Sequence, residues 1–260
     1  MRKLLISTMV EIKKFFYSKV PLITMLAALI IPFIGGFFMF ILKDPELAKK
    51  MGFISTKAQI IGTADWTSYF SLLSQAVSIG GILIFGFVTS WVFGREYSDR
   101  TIKDLLAMPI SRNIIVLSKF INVFLWCKLL SVLIFVIGIL VGRVVDIPGW
   151  SYDIAFQGLT VFFTCSLLTI LLSTPVAFFA SFGRGYLSPL SFMIFILVFA
   201  QIIASTGYGL LFPWSIPAIV SGIAGGVDVK LEYISILIIL LTSIIGLIGT
   251  LLWWRFADQY

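Results

Sequence analysis

The sequence predicts an all-α integral membrane protein with six transmembrane helices. Of its 260 residues, 60% are hydrophobic and only 12% are charged, whereas a soluble domain is about 45–50% apolar and about 25% charged. Six apolar stretches reach the length of about 20 residues that a helix needs to cross the hydrocarbon. Their apolar runs are continuous, which is not the alternating pattern of a β-barrel. These observations exclude a soluble enzyme, a disordered tail and a nucleic-acid-binding domain.

The predicted spans belong to a single domain, residues 1–260. Pro32 in the first span and Pro175 in the fourth mark places where the helices can bend. Gly86, Ser90 and Gly94 recur every four residues on the second span, a small-residue stripe suited to close helix contact. The six spans are residues 20–42, 70–94, 120–142, 154–182, 187–206 and 233–254.

The distribution of basic residues predicts that both termini are cytoplasmic, because cytoplasmic loops are enriched in Lys and Arg. Twelve basic residues fall on one side of the spans and six on the other. We therefore expect a multi-pass protein of a bacterial or archaeal cytoplasmic membrane. The first apolar stretch is too long for the core of a signal peptide, so we expect it to be retained as the first span. The twelve are Arg2, Lys3, Lys13, Lys14, Lys19, Arg95, Arg100, Lys103, Arg112, Lys119, Arg184 and Arg255; the six are Lys43, Lys49, Lys50, Lys57, Arg143 and Lys230.

Residues 1–19 predict an amphipathic helix at the membrane surface. Leu5, Met9, Ile12 and Phe16 recur at helical spacing on one face, and the lysines lie largely away from it. Such a helix places its lysines near anionic lipid head groups. The alternative is a basic end that only sets the topology.

The chain offers few groups for chemistry. It has no His, which removes the commonest metal ligand and acid–base group, and both cysteines lie inside apolar runs. The dipeptide Gly-Lys never occurs, so a phosphate-binding loop is absent. The spans contain no Asp or Glu, which disfavours a proton- or sodium-coupled carrier. We predict no catalytic residue and no metal site, and hence a chain that is not an enzyme.

Lys128 is the one charge within the spans, about 13 Å of helix beyond Lys119. Two interpretations stay open. Its flexible stem could carry the ammonium to the cytoplasmic interface, or the ammonium could face a cavity or a partner subunit. Ser131 lies three residues away, so a Ser–Lys dyad is geometrically allowed, although serines in membrane helices usually serve packing and hydrogen bonding.

Residues 94–119, GREYSDRTIKDLLAMPISRNIIVLSK, predict a short amphipathic helix between the second and third spans. Ser98 or Asp99 can cap a helix that ends before Pro109. Its apolar side must be buried against the bilayer or a cytoplasmic partner. That side carries Ile102, Leu105 and Leu106, and the other sides carry Arg100, Lys103 and Asp104.

This segment resembles the permease subunits of ABC-2 type transporters. The matching pattern is Glu96…Thr101…Leu105-Leu106…Pro109-x-Ser111-Arg112…Lys119. Six helices, cytoplasmic termini and an N-terminal interfacial helix match as well, so the resemblance covers nearly the whole chain. Many members have a glycine just before the threonine, where this chain has Arg100. The runs EYSDRTIKDLLAMPISR and FPWSIPAIVSG together resemble the bacitracin- and lantibiotic-immunity branch.

The resemblance implies a type V exporter-like permease fold that works as a homo- or heterodimer with two ATPase subunits. ATP and Mg²⁺ would be bound by those partners, and the chain itself would hold no cofactor. Residues 97–107 would form the coupling helix, seated in a cleft of the ATPase; the alternative is a loop that merely rests on the lipid. The residues expected to couple to the ATPase are Glu96, Arg100, Thr101, Ile102, Lys103, Leu105, Leu106 and Arg112.

Residues 207–232 are too apolar for a solvated loop, yet their prolines and five glycines prevent a seventh span. We expect short re-entrant or interfacial helices, because irregular backbone at membrane depth must be buried in protein. The alternative is a loop on the outer leaflet anchored by Trp214. The resemblance implies an external gate here, formed by Phe212, Pro213, Trp214 and Pro217.

The leading hypothesis is an exporter permease. Its cargo would be an amphipathic or lipid-linked compound, such as a peptide antibiotic, a lantibiotic or a drug, because the spans offer apolar and aromatic walls with almost no charge. The expected partners are an ABC ATPase, a second permease and membrane lipids, with no nucleic acid. A membrane scaffold or assembly factor without transport is one alternative; an intramembrane enzyme is another, which the missing His and carboxylates disfavour.

Overall fold

A computed structural model of the chain describes residues 2–44, 63–107, 109–222 and 233–257. The described residues contain helices and no strand. Lys49, Lys50, Lys57 and residues 223–232, which include Lys230, lie outside them. The helices are α1 (Arg2–Phe16), α2 (Val20–Lys43), α3 (Trp66–Ser98), α4 (Ile102–Ala107), α5 (Arg112–Val144), α6 (Tyr152–Leu171), α7 (Thr174–Phe182), α8 (Leu187–Ala204), α9 (Ile216–Val220) and α10 (Tyr233–Phe256).

Six helical segments of the described chain are long and apolar enough to cross a membrane, which confirms the predicted all-α, six-span class. Five are the single helices α2, α3, α5, α8 and α10. The remaining one is the pair α6 and α7, which together run from Tyr152 to Phe182. Several spans extend beyond the apolar stretches of the sequence, because the helices continue into polar residues at their ends.

Helix α3 lies at the centre of the bundle. It packs against α2, α5, α6, α7 and α8, and bulky side chains along its length, among them Tyr69, Leu73, Val77 and Phe85, are fully buried. Helices α2, α8 and α10 lie at the periphery and expose many large apolar side chains. This arrangement is expected of a bundle whose outer surface meets lipid, since apolar residues there need no protein cover.

The small-residue stripe on α3 meets α8 and the turn before it, as its spacing predicted. A Cβ at Gly86 would overlap the Met193 side chain, and a Cβ at Gly94 would lie 2.9 Å from the carbonyl oxygen of Gly185. No larger residue fits at either position without moving its neighbour. The stripe therefore fixes how closely the turn at residues 183–185 approaches the end of α3.

The fourth span is interrupted between α6 and α7, beside Pro175. Proline has no N–H to donate to the carbonyl four residues earlier, which here belongs to Leu171. Two hydroxyl groups donate to that carbonyl instead: Thr174 Oγ1 at 2.9 Å and, from α10, Ser243 Oγ at 3.0 Å. The bend that the sequence predicted is thus a break, and α10 satisfies part of its backbone.

Replacing Gly246 with Ala is expected to lower the thermal unfolding midpoint in detergent. The new Cβ would lie 2.5 Å from the backbone nitrogen of Pro175, so α10 would have to move away from the break; overpacking of this kind costs about 1–3 kcal/mol. Gly249→Ala, one turn later, is the matched control, because its Cβ would meet the Phe178 ring at an ordinary 3.4 Å. Equal midpoints for the two variants would contradict the close contact.

Candidate functional site

A buried ionic cluster joins α1, α3 and α5 at one end of the bundle. At its centre is Lys119, whose side chain is completely buried. Its ammonium donates to Glu96 Oε1 at 2.7 Å, to the Val92 carbonyl at 2.9 Å and to Glu11 Oε2 at 3.1 Å. An ammonium has three N–H donors, so these three acceptors satisfy all of its hydrogen-bonding capacity.

Lys14 completes the cluster at its edge. Its ammonium lies 3.4 Å from Glu11 Oε1 and 3.6 Å from Glu96 Oε1, and its side chain is 36% exposed. Two carboxylates therefore face two ammonium groups, and the formal charge of the cluster is zero. Glu96 Oε2 is buried and has no hydrogen-bond partner among the described residues.

The cluster exists because α1 turns its polar side towards the bundle. Glu11 is buried, and Ser7 donates to Ser118 of α5 at 2.9 Å. The apolar stripe points outwards instead: Leu5 and Met9 are among the most exposed large side chains of the described chain. Helix α1 is thus amphipathic as predicted, with its polar face bound to protein rather than to water.

The connecting segment, residues 99–107, reverses the chain beyond α3. Arg100 adopts a φ of +58°, in the left-handed region that favours glycine, and the Thr101 N–H donates to the Glu96 carbonyl at 2.9 Å. Helix α4 follows at once. Many proteins that share this sequence pattern have glycine at the position of Arg100. The positive φ explains why glycine fits there.

The structure divides the residues that the sequence assigned to coupling. Arg100, Thr101 and Lys103 are exposed and available to another protein. Ile102 and Leu105 are buried within the chain's own core, and Leu106 is half-buried against it. The expectation that Ile102 and Leu105 would cover a partner therefore has to be corrected: they anchor α4 to the bundle, since the core supplies the burial that the amphipathic pattern required. Leu106 keeps part of its surface uncovered.

Glu96 and Arg112 already have partners within the chain. Glu96 belongs to the ionic cluster. Arg112 Nη1 donates to the carbonyls of Trp254 at 3.0 Å and Arg255 at 3.3 Å, at the end of α10. A cation suits the negative end of a helix, so Arg112 joins the beginning of α5 to the end of α10.

An open groove of about 420 Å³ lies beside α4. Arg100 and Lys103 line it from the connecting segment, and Arg184 lines it from the turn between α7 and α8; Tyr97 and Ile102 complete the lining. We call it the basic groove. Three cationic side chains, from the connecting segment and from the turn between α7 and α8, surround it, which favours an acidic ligand surface. No sequence signal joined Arg184 to the connecting segment, because the two are far apart in the chain.

The described part of the 207–232 segment, residues 207–222, turns back into the bundle at the opposite end of α3. Pro217 is buried, and its carbonyl accepts from Ser78 Oγ at 2.9 Å; Ser71 Oγ donates to the Ser221 carbonyl at 3.1 Å. Phe212, Pro213 and Trp214 are half-buried, and the Trp214 ring meets the Phe192 ring edge-on at 5.8 Å.

Lys128 is half-buried on α5, and its ammonium lies 4.4 Å from the centre of the Phe163 ring on α6. Ser131 does not pair with it. The Ser131 hydroxyl instead donates to the Cys127 carbonyl at 2.8 Å and contacts the Ser166 hydroxyl, so the described residues contain no Ser–Lys dyad at this point.

Lys119→Met is expected to destabilise the protein strongly, because it leaves Glu11 and Glu96 buried without a cation; breaking a buried pair in this way costs about 3–5 kcal/mol. Lys14→Met is the matched control and removes the same charge from a partly exposed position, where an ion pair contributes about 1 kcal/mol or less. Thermal unfolding in detergent, followed by tryptophan fluorescence, measures both. Similar losses for the two variants would contradict the central role of Lys119.

Comparison with known proteins identifies the family. Residues 8–201 match the family model described as ABC-2 family transporter protein, a range that includes the ionic cluster, the connecting segment and Arg184. The chain is also 28% identical over 178 residues to the bacitracin transport permease protein BCRB of Bacillus licheniformis, covering 68% of this chain and 85% of that protein. The chain therefore belongs to the ABC-2 transporter family, as the transmembrane permease of an ABC transporter.

Proposed function

We propose that this permease is part of an exporter that moves an amphipathic or lipid-linked compound out of or across the cytoplasmic membrane. A peptide antibiotic, a lantibiotic or a drug is the kind of cargo that fits, and its removal would confer antibiotic resistance. The similarity to a bacitracin transport permease supports this cargo class, as do the apolar and aromatic walls of the spans. The basic groove is the observation that carries the proposal, because it offers a docking surface for a separate energy source.

Energy would come from an ATPase subunit that binds at the basic groove. The chain has no phosphate-binding loop of its own. The exposed charges of Arg100, Lys103 and Arg184 would meet carboxylates of the ATPase, and Thr101 would add a hydroxyl. Ile102 and Leu105, being buried, would hold this surface in shape rather than touch the partner.

Helix α3 would carry the movement across the membrane. Glu96 ties one end of α3 to α1 and α5, while Ser71 binds the Ser221 carbonyl near the other end. The two residues are about 37 Å of helix apart, which exceeds the hydrocarbon thickness of about 30 Å. A displacement of the connecting segment would thus reach the 207–222 segment, where Phe212, Pro213, Trp214 and Pro217 would act as the external gate.

The groove would face the cytoplasm. The twelve basic residues of the more basic side include Arg100, Lys103 and Arg184, and the bond from Arg112 to the end of α10 places the C-terminal helix end at this same side. Helix α1 would lie at the inner surface, with Leu5 and Met9 in the lipid and its exposed lysines near anionic head groups. Two permeases, identical or different, would pair with two ATPase subunits.

Reversing two groove charges, Lys103→Glu with Arg184→Glu, is expected to abolish recovery of the ATPase from solubilised membranes. Lys103→Glu alone should weaken recovery in a salt-dependent manner, since exposed charges are screened. Lys19→Glu is the control, an exposed lysine away from the groove. The measurement is a pull-down at matched permease levels. Full ATPase recovery with the double variant would overturn the docking surface, and absence of any ATPase with the unmodified chain would favour a scaffold.

The purified chain alone is expected neither to bind nor to hydrolyse ATP. Titration calorimetry with Mg²⁺–ATP measures this directly, and the complex with the co-purified ATPase is the positive control. Stoichiometric nucleotide binding by the isolated permease would contradict the assignment of ATP to a separate subunit.

A further inference from the structure

We propose that Lys128 binds the anionic group, a phosphate or a carboxylate, of the transported amphiphile. A polar stripe on α6, formed by Gln157, Thr160 and Thr164, would line the same path. This inference deepens the proposed function, on which it rests, by naming the substrate class as an anionic amphiphile.

Lys128 lies within a membrane-spanning helix, and no carboxylate among the described residues pairs with it. It is about 13 Å of helix from Lys119 and about 22 Å from Arg143. None of the twelve acidic residues falls within residues 120–142 or 154–182, and the described structure pairs the Lys128 ammonium with no carboxylate. A charge at such a depth is costly and marks a substrate pathway or a pairing partner.

The Lys128 side chain points away from the nearer membrane surface. Its ammonium lies over the Phe163 ring, and that ring packs 5.5 Å from the ring of Phe135. Phe135 is two turns beyond Lys128, on the side opposite Lys119. The ammonium is therefore directed towards the membrane interior and does not extend along α5 to the interface. Of the two sequence-based interpretations, this geometry favours a cation that faces a path or a partner.

The exposed face of α6 carries three polar side chains among apolar ones such as Phe156 and Leu167. Gln157 and Thr160 are exposed and Thr164 is half-buried. At 100° per residue the three fall within about 60° of one another around the helix, and they lie in the middle of its exposed face. This stripe, on the same helix as Phe163, would offer a polar lining to a molecule with a polar head.

A second copy of this chain would not neutralise Lys128. An identical permease also lacks Asp and Glu in these spans, so it can offer only hydroxyl, amide or carbonyl dipoles. Resident phospholipids hold their phosphates at the surface, outside the hydrocarbon layer in which Lys128 lies. Where the two permeases are identical, the remaining source of an anion is a molecule that passes through, and the Phe163 ring would meanwhile shield the waiting ammonium by a cation–π contact.

Binding of radiolabelled dodecyl phosphate to the purified permease in dodecyl maltoside tests the site. We expect Lys128→Met to weaken binding at least tenfold and Lys128→Arg, which keeps the charge, to stay within threefold of the unmodified chain. Arg143→Met is the matched control. Arg143 also lies on α5, and its guanidinium carbon is 4.2 Å from the centre of the Trp150 ring. The affinity of Arg143→Met for dodecyl phosphate should equal that of the unmodified chain. Dodecanoate should compete, and dodecyltrimethylammonium should not.

Three outcomes would overturn the proposal. The first is equal affinity of Lys128→Met and the unmodified chain. The second is competition by phosphatidylglycerol as strong as that by dodecanoate, which would identify an ordinary lipid contact. The third is loss of a permease dimer in Lys128→Met with unchanged probe affinity, which would identify a subunit contact. The assay needs no ATPase, so failure of docking at the basic groove would leave its result unaffected, and the two proposals fail separately.

Discussion

The burial of one ammonium group, that of Lys119, organises the end of the molecule on which coupling would depend. Removing a charge from water costs several kcal/mol, and the cost is offset only when opposite charges and hydrogen bonds surround it. Glu11, Glu96 and the Val92 carbonyl supply these, and they come from two other helices. Helix α1 must therefore sit against α3 and α5 in one register. A slide of one turn along either helix would leave a buried charge unpaired.

The cluster also fixes the loop beyond it. Glu96 accepts from Lys119 through its side chain and from the Thr101 N–H through its backbone, so the connecting segment begins at the cluster itself. Ile102 and Leu105 then anchor α4 in the apolar core. The close contact between Gly94 and Gly185 brings the turn at residues 183–185 alongside the connecting segment. Through these three constraints the exposed cations meet around one groove, while Ile102 and Leu105 of α4 are withdrawn from a partner.

The sequence was sufficient for the six spans and for the amphipathic nature of α1, because hydrocarbon thickness sets span length and helical periodicity exposes an apolar stripe. It was not sufficient for what the polar face of α1 binds. A helix with lipid on one side and water on the other has the same pattern as one with lipid on one side and a polar protein surface on the other. The sequence therefore assigned Glu96, Ile102 and Leu105 to coupling and Lys119 to a cytoplasmic loop, whereas the structure gives all four partners within the chain.

The backbone conformations of two arginines in the basic groove also bear on the proposed function. Arg100 and Arg184 both adopt positive φ, +58° and +51°, in the left-handed region that costs an ordinary residue about 1 kcal/mol and glycine little. Both line the basic groove, and the first stands where many resembling permeases have glycine. The strained backbone of Arg100, at a position where glycine fits better, supports the proposal that its side chain serves the groove through its charge. Strain of this kind persists at functional surfaces where the surrounding structure holds it in place, as the cluster at Glu96 does beneath Arg100.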